Sequence, residues 1–294
     1  MSTETLALPR RSRRPSYWRV FLTFARNSLV RDMTFRTNFL IECVTSVTWM
    51  AMNLGFYLLI FRYTREIADW DQYEFFAFLA TTMIVNSLVQ SFFMPNCEEL
   101  SELIRTGGLD FALLKPIDTQ FLISLRKIEW SSLSNFAAGL VLLGVSLYRL
   151  THRTEEPLVI TPVSAFLYIY FVLCGVGIMY STMISLAATS IWLGQNRSLY
   201  DFWFYITNFS RYPMEIYEGP WGTPLRYIFT FLLPILLVVN VPARVIAWPF
   251  GANATAATQT WYLCGFTLLA TAVSLVASRW LFQRALRGYR SASS

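Results

Sequence analysis

The sequence predicts an all-α membrane protein with six transmembrane helices and both termini in the cytoplasm. Three observations carry this. Hydrophobic residues make up 55% of the 294-residue chain and charged residues only 14%, against roughly 25% charged in soluble domains. The apolar residues fall in blocks long enough to cross about 30 Å of hydrocarbon at about 1.5 Å per residue, not in the short alternating segments of a membrane barrel. Finally, Lys and Arg are spread unevenly about those blocks, which is the signal that sets orientation.

Residues 1–15 read as a basic, disordered tail. No short apolar stretch with a small-residue cleavage site follows, so no cleaved signal peptide is expected. Residues 16–33, "SYWRVFLTFARNSLVRDM", place Tyr17, Phe21 and Phe24 on one helical face and Arg19, Thr23 and Arg26 on another. Such a helix fits a membrane interface, its arginines near anionic headgroups; the alternative is that it extends the first span. Residues 34–290 then form a single transmembrane domain, with spans near 36–61, 73–94, 130–149, 163–192 and 259–283.

The region 194–250 admits two readings. In one, 224–249 is a plain fifth span. In the other, the short aromatic segment 198–213 is the fifth span and 224–249, broken by Pro234 and Pro242, is a re-entrant hairpin. Irregular backbone at membrane depth requires shelter from protein or water, and hydropathy favours the plain span. Under the plain reading, the side holding both termini carries 19 of the 24 Lys and Arg; under the re-entrant reading it carries 17. Both readings put the termini and residues 95–130 in the cytoplasm.

The segment 97–130 is charged, with Glu98, Glu99, Glu102, Asp110, Asp118 and Glu129 against Arg105, Lys115, Arg126 and Lys127. Pro95-Asn96 is expected to end the second span, with Asn96 as N-cap and Glu99 completing a capping box. Leu100, Leu103 and Ile104 share a face. Gly107-Gly108 stops the helix. A second short turn ends before Pro116, and Asp118 or Thr119 caps a third helix that runs into the third span. Residues 96–118 thus read as a compact knuckle, built either to dock a partner or to pack on its own span ends.

"LIRTGGLDFALLKPIDTQFLISLRKIEW" resembles the cytoplasmic connection of ABC-transporter permeases of the exporter-related type 2 class. The shared features are the acidic short helix Glu98 to Glu102, Gly107-Gly108, Leu109-Asp110 with Leu113-Leu114, and Pro116. A second block with Tyr212-Pro213, Arg226, Pro234, Pro242 and Arg244 resembles the hairpin before that family's last span, although Leu233-Pro234 stands where many relatives have Asn-Pro. The resemblance covers about a fifth of the chain and is nearest to uncharacterised bacterial permease components. It implies the re-entrant reading and a coupling helix seated in a separate ATP-binding subunit. On that basis Glu99, Glu102, Leu103, Arg105, Gly107, Asp110, Lys115 and Pro116 are the expected coupling residues. It further implies two copies of the ATPase, ATP and Mg bound there, a second permease identical or related, and a place in the bacterial inner membrane.

A P-loop needs Gly residues around a Lys followed by Ser or Thr. The only lysines, Lys115 and Lys127, precede Pro116 and Ile128, so the motor is expected in another chain. No catalytic residue, cofactor or metal is assigned here, and no nucleic-acid partner. His152 is the only histidine and Cys43, Cys97, Cys174 and Cys264 are scattered, which argues against an intramembrane enzyme or a disulfide framework. A secondary transporter, the main alternative, should repeat its broken helices in both halves, and only one broken region is found. At membrane depth the polar candidates are Glu42, Asn86 and Gln90, with Asn53 and Asn135 beside them. Glu42 is read as structural before substrate-binding, and the amides as helix-joining. Gly175 and Gly177 are read as points of close helix approach.

Overall fold

A computed structural model describes residues 16–34, 36–154, 157–193, 197–248 and 254–289. The basic tail, 1–15, lies outside them. The chain runs α1 (Tyr17–Thr34), α2 (Arg36–Ile60), a two-stranded hairpin β1 (Glu66–Ile67) and β2 (Trp70–Asp71), then α3 (Gln72–Phe92) and α4 (Met94–Arg105). There follow α5 (Gly108–Leu113), α6 (Thr119–Leu125), α7 (Leu133–Thr151), α8 (Pro162–Leu193), α9 (Arg197–Asn208), α10 (Gly222–Tyr227), α11 (Leu237–Ala247) and α12 (Ala254–Arg287). Five helices among the described residues are long and apolar enough to cross a membrane, and α10–α11 makes a sixth if that bent pair is one span.

The centre of the bundle is α3 and α8. α3 packs against α7, α8 and α11, and α8 also meets α12 and α4. Phe78, Val85, Ile178, Met179 and Val238 are wholly buried between them. By contrast α2 buries no residue and rests mainly on α7 and α1. In lipid, burial of apolar surface does not by itself drive helices together, so close contact and polar bonds do.

Three expectations are corrected, and an open one is narrowed. Asn96 does not cap a new helix after the second span. The span continues as Gln72–Arg105, Pro95 falls in the first turn of α4 where its missing N–H costs little, and Asn96 is buried. Its amide instead bridges to the backbone of Lys127, donating at 2.7 Å and accepting at 2.8 Å. Nor does α6 run into the third span: residues 126–132 break the helix, because the Lys127, Ile128 and Trp130 amides bond to Asn96, Ser28 and Asp32 side chains instead of a helical ladder. Of the two readings of 194–250, the straight span is not what forms: α10 with its π-helical extension (Ile228–Leu232) meets α11 at 93°. Pro234 lies at that bend, but Pro242 lies inside α11 without ending it.

The tolerance of Pro242 has a physical reason. Proline offers no N–H to the carbonyl four residues back, here Val238. That carbonyl oxygen projects onto Gly175 of α8, so near that an added Cβ would stand 2.5 Å from it. Only glycine fits. Gly175→Ala is expected to lower stability by about 1–3 kcal/mol, outweighing the ~1 kcal/mol gain in helix propensity. Gly177→Ala meets Thr271 at an ordinary 3.4 Å and should be neutral or better. Melting curves of the two variants in detergent check this; equal midpoints would contradict the close approach.

Candidate functional site

Two regions hold the candidate functional residues: the knuckle α4–α6 at one end of the bundle, and a cavity between α2 and α3. In the knuckle, α4 carries its apolar face inward. Leu100 is fully buried, and Leu103 and Ile104 pack on the core. The chain reverses at Gly107, whose φ of +71° is a left-handed conformation that glycine adopts freely. The six residues of α5 follow, with Leu109 pinned inside. Asp118 caps α6, accepting from the Phe121 amide at 3.0 Å.

The expected coupling residues scatter over this surface. Glu99 pairs with Lys127 at 2.8 Å. Glu102 and Arg105 form an exposed ion pair with each other. Asp110 is half-buried in the first turn of α5, and Lys115 and Pro116 are exposed. Leu103 is half-buried and turned to the core, not outward. The side chains that do stand out were not among the expected coupling residues: Phe111 is 72% exposed and Leu114 82%.

The knuckle is tied to the rest of the bundle by polar bonds. Arg279 of α12 clamps Asp118 with both guanidinium arms and donates to the Gln120 side chain at 2.9 Å. Gln120 donates to the Tyr180 hydroxyl of α8 at 2.9 Å, which also meets Ser124 at 2.8 Å. Ser101 reaches Ser190 of α8 at 3.2 Å. α1 lies across the same end: Ser28 and Asp32 accept from the Ile128 and Trp130 amides at 3.1 and 3.2 Å. Burial holds the Glu129 carboxyl above its ordinary range, against the Ser132 hydroxyl and with help from Glu42, Glu98 and Asp32.

The Arg279 guanidinium holds the Asp118 carboxyl below its ordinary range. A depressed carboxylate stabilises the fold above its unfolded pKa, about 3.9, and that contribution is lost as pH falls through the folded value. Asp118→Asn is therefore expected to lower the melting midpoint at pH 7 and to narrow its gap from the wild type below about pH 4. A gap that is constant with pH would contradict the clamp.

The cavity has a volume of about 400 Å³, inside the range of small-molecule sites. From α2 it takes Thr45, Ser46, Trp49, Met50, Asn53 and Tyr57, a stripe at helical spacing. α3 supplies a second stripe that includes Thr82, Asn86 and Gln90, and Asn135, Arg211 and Tyr212 complete the wall. Glu42 does not line it. Glu42 is exposed, and among the described residues it makes no ion pair.

A family model described as ABC-2 family transporter protein matches residues 47–293, which takes in the knuckle and all of the cavity lining except Thr45 and Ser46. The chain belongs to the ABC-2 transporter family. No curated protein and no solved structure matches it. As an ABC-2 permease it is a multi-pass membrane transport component, and the family implies association with an ABC ATP-binding subunit. Sequence reading of this permease found Asn86 and Gln90 but took the amides for helix joints. The signal that could have found the cavity was the spacing itself: residues 82, 86 and 90 on α3, and 46, 49, 53 and 57 on α2, place polar and aromatic groups along one face of each.

Proposed function

We propose that the chain is the membrane-spanning subunit of an ATP-driven exporter, with the knuckle in the cytosol and the β1–β2 hairpin outside. ATP-binding subunits, one for each of two permeases, seat against α4–α5. Phe111 and Leu114 enter the groove, and the charges of Glu102, Arg105 and Lys115 surround them. The second permease is another copy or a relative, and the assembly lies in a bacterial inner membrane. Residues 222–247 form a re-entrant pair on the outer side, sheltered by α3 and α8.

The observation that carries this is the bracing of the knuckle. Asp118, Gln120 and Ser101 bind it to α12 and α8, so a push on Phe111 and Leu114 moves whole spans instead of bending a loop. The cavity between α2 and α3 is then the path for cargo. The test is reconstitution in liposomes with the cognate ATP-binding subunit. Nucleotide-dependent flux is expected, and Asp118→Ala with Arg279→Ala should leave the complex assembled while uncoupling hydrolysis from flux. Flux without any ATPase would overturn the reading.

A further inference from the structure

The cavity between α2 and α3 is chemically one-sided. Its walls carry amides and hydroxyls, and among the described residues no carboxylate lines it and Arg211 is the one charged group. Arg211 makes no ion pair among the described residues; its guanidinium lies 5.7 Å from the ring centre of Phe204. Several wall groups are already satisfied by their own helices: Thr82 donates to Phe78 at 3.0 Å, Ser87 to Ile84 at 2.9 Å and Asn53 to Trp49 at 2.8 Å. Asn86, Gln90 and Asn135 are not. They have no hydrogen-bond partner among the described residues.

Asn86, Gln90 and Asn135 are partly buried and Arg211 is exposed on this chain, so all four can be reached by a ligand. Each defines what would satisfy it. An amide offers two donors and one acceptor, which matches hydroxyl or amide groups. Arginine matches a phosphate or carboxylate, which it grips with two parallel bonds. The two chemistries are also separated. Arg211 lies near Tyr57, which packs on Phe75 with ring centres 4.8 Å apart. Asn86 lies about 16 Å further along α3 from Phe75, at about 1.5 Å per residue. A purely apolar ligand would leave all four groups stranded, and a cationic one would meet no carboxylate and one repelling arginine.

We propose that this cavity binds an elongated anion, with its phosphate or carboxylate at Arg211 and a hydroxyl- or amide-rich body along Asn86, Gln90 and Asn135. Sugar phosphates and glycerophosphate headgroups of net negative charge have this chemistry, and it is the same whether the compound is free or part of a lipid. This rests on the reading of the cavity as the cargo path and narrows what the cargo is.

The full chain, purified in detergent, is tested by equilibrium binding of four probes: phosphatidylglycerol, glucose 6-phosphate, phosphatidylcholine and glucose. At least one of the two anionic probes should bind saturably, and the lipid or the free sugar phosphate then identifies the source. Arg211→Gln should weaken that binding at least tenfold, Arg211→Lys much less. Asn86→Leu with Gln90→Leu should weaken it by a similar factor. Melting curves show whether each variant is folded, and Arg211→Lys keeps the charge test open if Arg211→Gln is not. The proposal is overturned if neither anionic probe binds, if phosphatidylcholine or glucose binds as well, or if folded Arg211→Gln binds like the wild type. Nucleotide-driven flux separates the two levels. Flux of an uncharged cargo that Arg211→Gln leaves intact removes this inference alone, and anion binding as described without any nucleotide-driven flux removes the transport reading alone.

Discussion

Substituting Asp for both Phe111 and Leu114 will abolish recovery of the ATP-binding subunit with the permease while leaving the spans folded. Buried apolar anchors at the centre of an interface carry about 2 kcal/mol or more each, so each substitution should reduce the complex about 30-fold, and a carboxylate forced into the groove adds its desolvation cost. Neither side chain supports the bundle, since both project outward from α5. The melting midpoint should therefore stay where it is. Leu103→Asp is expected to behave differently, because Leu103 packs on the core: it should melt early, and any loss of complex would follow from that. Arg105→Glu replaces an exposed member of a surface pair and should have a smaller effect, in the range of surface ion pairs. Pull-down yields and melting curves measured on the same preparations distinguish the three. Full recovery of the complex with the double variant would end the docking model.

Arg244→Met will destabilise the protein by about 3–5 kcal/mol, the usual consequence of leaving one member of a buried ion pair without its partner. Arg244 and Glu215 bond to each other with side chains only 3% and 9% exposed. Trp70 donates its indole N–H to the same Glu215 at 3.2 Å, the Arg244 guanidinium lies 4.9 Å from the Trp248 ring centre, and Trp70 and Trp248 pack at 4.8 Å. Beside them Asn240 of α11 accepts from the Met214 amide at 2.8 Å. Together these hold the β1–β2 hairpin, the turn at Met214–Ile216 and the bent pair as one unit. Removing both charges, as Arg244→Met with Glu215→Leu, should recover most of the loss, because no buried charge is then left over. Thermal unfolding of the two variants checks this. A single variant that melts like the wild type would show that the pair does not form.

Much of this architecture was legible from the order of residues. Long apolar runs locate spans because backbone polar groups in lipid must be satisfied within the segment. The knuckle was legible for similarly local reasons: Gly107 stops α4 because it takes up a left-handed turn, and Asp118 begins α6 because its carboxylate meets a free amide three residues on. Each of these depends on neighbours a few residues away. Asn96, by contrast, looked like a cap and became a bridge to Lys127, and Pro242 looked like a break and became part of a helix. Their partners, Lys127 and Gly175, are distant in the chain.

By itself, then, the sequence determined the long apolar helices and the reversal at Gly107-Gly108, both of which follow from local backbone rules and from the residues present. Only the tertiary structure decided that Phe111 and Leu114, not Leu103, face outward, that Arg244 finds Glu215, and that amides from three helices share a cavity with Arg211. Those outcomes depend on how helices far apart in sequence rotate and approach one another, and helical periodicity says which residues share a face without saying what that face will meet.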